Sequence, residues 1–247
     1  MTAAAPALEL KGIAKHFGGL QVLRDVTFSV AEGEVVGLIG PNGAGKSTLF
    51  EIISGNLPPS DGRVAYFGED CTTTSPHRRR RAGLCRTFQK VRLFDSMTVE
   101  ENVAVAATQC RVDGRDWQDE VRIALERLQL TEIAGRMPSQ LTLADRKRVE
   151  IARAVAGRCR LLMLDESLSG LTHDEAQTLI AEIVALNRNH GITVIIVEHV
   201  LSVLAAMVKR LVVLHNATII ADGSPGEIAH DPVVLEAYLG TKRSALG

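Results

Sequence analysis

The stretch VVGLIGPNGAGKST, Val35 to Thr48, decides the fold of this chain, because it joins an apolar run to a glycine-rich turn and then to a helical pattern. Residues 40–48 match GxxxxGK[ST], and a strand before the glycines with a helix after them is the context that this motif requires. Backbone N–H groups of such a loop can wrap phosphate oxygens, while Lys46 neutralises the β and γ oxygens and Ser47 offers a hydroxyl to Mg²⁺. The stretch therefore predicts a site for a nucleoside triphosphate. The residues that we expect to line this site are Gly40, Pro41, Asn42, Gly43, Ala44, Gly45, Lys46, Ser47 and Thr48.

The composition limits the classes of protein to which the chain can belong. A chain of 247 residues with 46% hydrophobic residues can bury one core with an attached subdomain. Its 28 basic and 29 acidic residues give a formal charge of -1, which argues against a generally basic nucleic-acid binder. The four cysteines show no CxxC spacing, so neither a zinc site nor a disulfide framework is predicted.

The sequence also predicts where the chain resides. Its apolar runs fall short of the roughly 20 residues that cross a bilayer. The N-terminal MTAAAPALELKG lacks the pattern of a signal peptide. We therefore expect a chain that begins inside the cell and is not an integral membrane protein.

Hydrophobic patterns divide the chain into three stretches. Residues 8–36 alternate short apolar runs with turn residues, which predicts strands. Residues 98–156 hold helical periodicity almost throughout and predict an inserted helical subdomain. From Arg160 onward strands alternate with helices, which predicts a mostly parallel sheet covered on both faces. We expect one domain over residues 1–247, with its core at about 1–95 and 157–247 and its helical subdomain at about 96–156.

Two strand ends carry groups that suit phosphate chemistry. One apolar run ends in Asp165 and Glu166, where Asp165 could hold Mg²⁺, directly or through water, and Glu166 could act as general base. Two carboxylates at a strand end are often only surface groups, but their place after the glycine-rich loop favours the catalytic interpretation. His199 ends the next apolar strand, and parallel strands deliver side chains to a site from their carboxyl ends. We predict that His199 reaches the γ-phosphate, with a structural role as the alternative.

A basic segment lies between the glycine-rich loop and the helical stretch. Its basic residues are Arg78 to Arg81, Arg86, Lys90 and Arg92. Because Phe88 is the single aromatic residue from Arg78 to Arg92 and the whole chain is balanced in charge, a solvated helix face is favoured over a nucleic-acid patch. The segment also contains Gln89, whose side-chain oxygen is of the kind that Mg²⁺ accepts.

The stretch LTLADRKRVEIARAV, Leu141 to Val155, opens like a helix. Thr142 can act as the N-cap, with Asp145 three residues later, as in a near capping box. A helix N-terminus attracts anions, because its first N–H groups have no partner within the helix. This helix start can therefore face an anion, and the family resemblance given below implies that Thr142 and Ala144 contact a nucleotide phosphate there.

In their order and spacing, these motifs resemble those of the nucleotide-binding subunit of an ABC transporter across nearly the whole chain. The resemblance rests on the glycine-rich loop, Gln89, the helical stretch, the IARAV helix, the Asp165–Glu166 strand end and His199. It implies a P-loop NTPase (RecA-like) α/β core with an N-terminal antiparallel β subdomain and an inserted α-helical subdomain. It also implies that Phe17 stacks on the adenine of ATP, with ordinary core packing as the alternative.

Two further runs resemble the branched-chain (hydrophobic) amino acid uptake group of this family. They are PHRRRRAGLCRTFQKVRLFDSMTVEENV, at 76–103, and DGSPGEIAHDPVVLEAYLG, at 222–240. The chain also departs from the family, whose LSGGQ signature is replaced by LTLAD at 141–145. Ser167 stands where the family has proline, and Thr172 replaces the usual Asp or Asn. These departures concern contacts between subunits more than the chain's own phosphate and metal groups.

The resemblance implies an ATPase subunit at the cytoplasmic face of the inner membrane, bound there peripherally. Such a subunit binds ATP and Mg²⁺ and energises uptake of branched-chain or related amino acids through transmembrane permease subunits. An external solute-binding protein is then an indirect partner, and no nucleic acid takes part. The segment after Gln89, with Phe94 and Met97, forms part of the groove that receives a permease helix.

The resemblance also implies a head-to-tail dimer with a second ATPase subunit, in which the signature of each subunit completes the nucleotide site of the other. Because the signature of this chain is unusual, we favour a heterodimer. The charge of Asp145 would then slow the partner's site, unless Asp145 merely caps its helix and points away.

Three alternatives stay open at this point. The first is the ATPase subunit of a lipid or lipopolysaccharide exporter, because similar subunits serve importers and exporters. The second is a soluble ABC-type ATPase acting on nucleic acid or the ribosome, which predicts tandem nucleotide domains, a coiled-coil insertion or a basic linker, and the sequence shows none of these. The third is a non-hydrolysing regulatory subunit, and the intact Glu166 and His199 count against it.

Overall fold

The computed structural model describes residues 5–87, 92–109, 116–198, 204 and 207–243, and the chain divides into two units. Unit 1 takes residues 1–79 and 193–247, and unit 2 takes residues 80–192. Among the described residues, none of the helices combines the length and the apolar character needed to cross a membrane.

An antiparallel sheet forms the N-terminal part of unit 1. Its strands are β1 (Leu8–Phe17), β2 (Leu20–Val30), β4 (Asp61–Tyr66) and β5 (Glu69–Asp70), in the order β2-β1-β4-β5. At the start of β1, Leu8 and Leu10 are buried while Glu9 between them is partly exposed, as the alternation of side chains along a strand requires. Leu10 pairs with Phe28 of β2 and with Val64 of β4, which aligns the apolar faces of three strands. The predicted antiparallel β subdomain is confirmed.

A second group of strands in unit 1 positions the glycine-rich loop. It contains β3 (Val35–Ile39), β8 (Thr193–Val197), β9 (Arg210–His215) and β10 (Thr218–Gly223). Strand β3 lies between β8 and β9 and runs parallel to both, whereas β10 is antiparallel to β9. Every residue of β8 is buried, as expected for a parallel strand covered on both faces. The alternation of strands and helices after Arg160 predicts a helix over VLSVLAAMVKR, at 200–210, and this stretch lies largely outside the described residues.

Four helices begin in the described part of unit 1. They are α1 (Lys46–Ser54), α2 (Pro76–Arg81), α7 (Pro225–His230) and α8 (Pro232–Arg243). Helix α7 starts with a capping box, in which the Ser224 hydroxyl accepts from the Glu227 N–H at 3.3 Å and the Glu227 carboxylate accepts from the Ser224 N–H at 2.8 Å. The strands and helices predicted after Arg160 therefore include two successive strands, β9 and β10, followed by two helices.

Arg79 holds the C-terminal end of α1 in place. Its side chain is 1% exposed, and its guanidinium donates to the carbonyls of Ile52 and Ile53 at 2.7 Å each. The last carbonyls of a helix have no partner within it and form the negative end of its dipole, so a buried cation is a suitable cap. The Tyr66 hydroxyl also donates to the Ile53 carbonyl. The guanidinium further reaches the backbone carbonyls of Cys71 at 2.7 Å, Thr72 at 3.0 Å and Thr74 at 3.2 Å.

The interpretation of the basic run as a solvated helix face is therefore wrong for Arg79. It holds for Arg78 and Arg81, which are exposed. Arg80 is half-buried and donates within unit 2 to the carbonyls of Ala156 at 2.8 Å and Arg158 at 3.0 Å. One run of four arginines thus contains side chains with quite different environments.

The described part of unit 2 combines two parallel strands with four helices. The strands are β6 (Leu84–Arg86) and β7 (Leu161–Asp165), and the helices are α3 (Val99–Gln109), α4 (Trp117–Arg127), α5 (Leu143–Val155) and α6 (His173–His190). Short 3-10 turns lie at Thr131–Ile133 and Pro138–Gln140. Helix α3 packs against α4 and α5, and all three lie within the stretch 96–156 for which the sequence predicts a helical subdomain. The limits of that subdomain stay a prediction.

Two threonines begin the helices α5 and α6 by the same chemistry. The Thr142 hydroxyl accepts from the Asp145 N–H at 3.1 Å, and the Thr172 hydroxyl accepts from the Glu175 N–H at 3.4 Å. The Glu175 carboxylate in turn accepts from the Thr172 N–H at 2.9 Å, and hydrogen bonding from Thr172 lowers the pKa of Glu175. The predicted N-cap at Thr142 is confirmed, and Thr172 has a local role as the cap of α6.

We expect Arg79→Met to lower the free energy of unfolding by about 3 kcal/mol or more, because buried carbonyls at the end of α1 lose their donor. Arg78→Met on the same helix is the matched control and should change the free energy by less than about 0.5 kcal/mol, since Arg78 is exposed. Urea unfolding followed by circular dichroism measures both. Equal losses in the two variants would show that the guanidinium contacts of Arg79 contribute nothing to stability.

Candidate nucleotide site

The glycine-rich loop of unit 1 follows β3 directly and has a backbone that only glycine fits at two positions. Gly40 has φ +155°, and a Cβ atom there would collide with the backbone carbonyl of Leu214 in β9. Gly45 has φ +106°, and a Cβ atom there would lie 2.8 Å from the Val22 carbonyl. The loop therefore rests closely on the backbones of β9 and β2. The predicted order of strand, loop and helix is present.

Lys46 begins helix α1 and is held inside this loop. Its side chain is 6% exposed, and its ammonium donates to the carbonyls of Gly40 at 2.6 Å and Pro41 at 3.0 Å. Ser47, next in the helix, is exposed. The N-cap is Gly45, which has no side chain to cover the first N–H groups of α1. A lysine charge and a helix N-terminus thus meet at one place, as phosphate binding requires.

Phe17 lies at the end of β1 and is not part of the core. Its side chain is 49% exposed, and the ammonium of Lys15 lies 5.2 Å from the centroid of its ring. Exposure of this size argues against core packing, the alternative considered from the sequence. The stacking of Phe17 on adenine stays a prediction.

Tyr238 is a residue that the sequence motifs did not single out. It lies in α8, and its side chain hydrogen bonds to the backbone of Gly40 at the start of the glycine-rich loop. Burial raises the pKa of Tyr238, and the hydrogen bond with Gly40 lowers it by a smaller amount. A residue of the last helix of unit 1 thus contacts the start of the glycine-rich loop.

In unit 2, Asp165 ends strand β7 and is buried against a positive charge. Its carboxylate lies 3.1 Å from the guanidinium of Arg86, which ends the neighbouring strand β6. Its N–H donates to the Thr87 hydroxyl at 3.3 Å, and that hydroxyl lies 3.1 Å from the hydroxyl of Ser167. Ser167, where the family has proline, therefore joins the end of β7 to the residue after β6. The assignment of Arg86 to a solvated face is wrong, since it pairs with the predicted metal ligand.

Glu166 follows Asp165 in an unusual backbone conformation. Its φ is +50°, in the left-handed region that favours glycine. The Glu166 carbonyl accepts from the Ser169 N–H at 3.2 Å and from the ammonium of Lys147 at 3.4 Å. The side chain is only partly exposed. The predicted base is thus held by contacts to its backbone.

The start of α5 binds its own acidic residue. The Thr142 hydroxyl donates to the Asp145 carboxylate at 2.8 Å, and Arg148 Nη1 lies 3.2 Å from the same carboxylate. Arg148 Nε lies 3.1 Å from the buried carboxylate of Glu182 in α6. Burial raises the pKa of Glu182, while Arg148 lowers it. Asp145 therefore lies beside the Thr142 cap and forms an ion pair with Arg148. Ala144 is buried next to the exposed Thr142.

The segment before α3, predicted to contact a permease, is organised by one buried side chain. Asn102 is fully buried; it accepts from the Phe94 N–H at 2.8 Å and donates to the carbonyls of Phe94 and Met97 at 3.1 Å each. The Phe94 ring is 45% exposed, with the Arg153 guanidinium 5.7 Å from its centroid. An exposed aromatic side chain on a fixed backbone suits a docking surface.

Two predicted residues, Gln89 and His199, lie outside the described residues, and their roles stay predictions. The other predicted groups divide between the units. Lys46 belongs to unit 1, and Asp165 and Glu166 belong to unit 2. The sequence motifs did not identify Arg86, Lys147 and Tyr238 as residues that contact the predicted site. The one sequence feature that could have indicated them is a charged or polar side chain in or beside a motif.

Known proteins resemble this chain along almost its full length. Residues 23–169 match the ABC transporter family, and residues 218–243 match the branched-chain amino acid ATP-binding cassette transporter family. The chain is 37% identical to the high-affinity branched-chain amino acid transport ATP-binding protein BraF of Pseudomonas aeruginosa, over 95% of this chain and 98% of that protein. It is 35% identical over the same shares to the corresponding protein LivG of Escherichia coli K12. The solved ADP conformation of an ATP-binding cassette of an ABC transporter matches with a TM-score of 0.86 and 31% identity, over 95% of this chain and 99% of that one.

We expect Lys46→Ala to weaken MgATP binding at least tenfold, about 1.4 kcal/mol, because the phosphate charge loses its buried partner. Isothermal titration of the purified chain measures the affinity. Lys11→Ala, which removes an exposed lysine of unit 1, is the control and should bind MgATP as the wild type does. Equal affinity in Lys46→Ala and wild type would reject the assignment of the site.

Proposed function

Because this chain belongs to the ATP-binding subunits of ABC transporters, we propose that its ATP hydrolysis drives the uptake of branched-chain or related amino acids through membrane permease subunits. The observation that carries the proposal is the match of residues 218–243 to the branched-chain amino acid cassette family. BraF and LivG, which resemble the chain from end to end, are both named for high-affinity branched-chain amino acid transport. We place the chain at the cytoplasmic face of the inner membrane, as a peripheral subunit.

Each of the proposed Mg²⁺ ligands has the oxygen chemistry that this ion prefers. Asp165 supplies a buried carboxylate and Ser47 an exposed hydroxyl, both hard oxygen ligands, with Gln89 as a third candidate. Bound Mg²⁺ supplies charge that stabilises the transferred phosphoryl group. Because Asp165 is paired with Arg86 at 3.1 Å, metal binding has to compete with that guanidinium.

Three side chains carry out the proposed hydrolysis of ATP. Lys46 neutralises the β and γ oxygens, and Glu166 accepts a proton from the attacking water. His199 contacts the γ-phosphate. The Lys46 ammonium is already in place inside the loop. It lowers the barrier to hydrolysis because the protein does not have to rearrange when negative charge develops on the phosphate in the transition state.

We also propose that the chain works as one half of a head-to-tail dimer, in which Thr142 and the N–H groups of α5 complete the partner's nucleotide site. A heterodimer with a different ATPase subunit is favoured. The Thr142 hydroxyl donates a hydrogen bond to the Asp145 carboxylate at 2.8 Å. This signature therefore presents an acidic group where an anion has to bind. The partner's site is then the slower of the two.

The proposed function predicts that Glu166→Gln binds MgATP like the wild type but neither hydrolyses it nor supports transport, because the amide cannot accept a proton. Proteoliposomes that contain the permeases, the binding protein and both ATPase subunits measure ATP-dependent uptake of radiolabelled leucine. Wild-type turnover by Glu166→Gln would assign the base to another group. Turnover stimulated by lipid export substrates, DNA or ribosomes, without leucine uptake, would instead support one of the other ABC functions.

The asymmetric dimer is tested with the double replacement Ala144→Gly and Asp145→Gln in the assembled transporter. This chain's Glu166 is disabled and the partner's catalytic glutamate is kept, so that turnover reports the partner's site alone. We expect turnover to rise severalfold, in line with a cost on the order of 1 kcal/mol for the acidic group at the helix start. An unchanged rate would mean that the LTLAD signature is already competent.

A further inference from the structure

A buried lysine of α5 contacts the backbone of the loop that carries the proposed base. Lys147 is 5% exposed, and its ammonium donates to the Ser167 carbonyl at 2.7 Å and lies 3.4 Å from the Glu166 carbonyl. A buried ammonium is costly unless it is hydrogen bonded, so these contacts fix both the side chain and the carbonyls that receive it. They lie within unit 2.

The loop that begins at Glu166 needs such support, because its backbone is strained at Glu166, the proposed base. A non-glycine residue at φ +50° is less stable than in the right-handed region, and Glu166 adopts this conformation. Such a conformation persists only where the surroundings determine it. Glu166 receives a second hydrogen bond from the Ser169 N–H, and Ser167 is fixed from its other side by the Thr87 hydroxyl.

Helix α5 makes another contact with the same loop. A Cβ atom on Gly170 would lie 3.2 Å from the Leu143 side chain, so the first residue of α5 packs beside Gly170. The loop from Glu166 to Gly170 is therefore held by α5 at the helix start, through Leu143, and one turn later, through Lys147.

We propose that Lys147 is a positioning residue for ATP hydrolysis, which sets the direction of the Glu166 carboxylate by holding the carbonyls of Glu166 and Ser167. This inference rests on the proposed function, since it takes Glu166 as the base. Lys147 contacts no substrate in this role and acts through the backbone. Because the same helix presents Thr142 to the partner's nucleotide, a shift of the α5 N-terminus is transmitted to this chain's own base.

The test compares Lys147→Met with wild type in the assembled transporter. Methionine keeps the length of the side chain but removes the ammonium. We expect kcat to fall on the order of ten- to a hundredfold, because a displaced catalytic group loses the reactive geometry. The KM for ATP and the affinity for MgATP should change less than twofold, since the proposed role acts through the carbonyls of Glu166 and Ser167. Lys147→Arg, which keeps a donor and a charge, should recover most of the lost kcat.

The matched control is Arg80→Met, which also removes a cation from backbone carbonyls of unit 2. Arg80→Met should be destabilised in urea and yet keep the wild-type kcat. If Lys147→Met does not fold, Lys147→Gln replaces it; this variant keeps an amide donor on a shorter side chain but loses the charge, so kcat should still fall, by less than in Lys147→Met, at unchanged affinity. A kcat within twofold of wild type, or a loss equal to that of Arg80→Met, would overturn the positioning role. Absence of turnover in the wild type itself would reject the proposed function instead.

Discussion

The need of helix ends for hydrogen-bond partners explains much of the arrangement around the phosphate loop. Helix α1 begins with N–H groups that suit an anion and ends with carbonyls that face Arg79 and Tyr66. A buried guanidinium can serve several carbonyls at once because its donors lie in one rigid plane. The position of the loop therefore depends on α1, and the position of α1 depends on a residue of the following helix. At the other end, the close approach of Gly40 to β9 leaves the loop little freedom.

Departures from the family pattern have local partners in this chain. Thr172 caps α6, Ser167 shares a hydrogen bond with Thr87, and Asp145 is bound by Thr142 and Arg148. Each substitution is therefore consistent with the backbone around it, so none of them leaves an isolated polar group at its position. When each substituted side chain finds a partner in the backbone or side chains around it, the sequence can vary at these positions while the fold remains well determined.

The elements near the motifs could be predicted because their signals are local. The run VVGLI with its glycines indicates a strand and a loop, and Thr142 followed by Asp145 indicates a helix start, whatever the rest of the chain does. Arg79 and Lys147 could not be placed in this way, because an arginine or lysine in a charged run looks solvated from the sequence. Their burial depends on backbone carbonyls contributed by distant segments. Likewise, the pairing of Arg86 with Asp165 depends on the alignment of β6 with β7.

The placement of β3 between two late strands also bears on synthesis at the ribosome. Residues 40–48 leave the ribosome early, but the strands that flank β3 end only at Val197 and His215. Until both strands have been translated, Gly40 has no backbone of Leu214 against which to rest, and the nascent chain lacks a formed phosphate loop. Unit 2, in contrast, is one continuous stretch of the chain. A prematurely terminated product would therefore carry the whole nucleotide motif and still fail to hold ATP, so that incomplete subunits do not compete with finished ones for nucleotide.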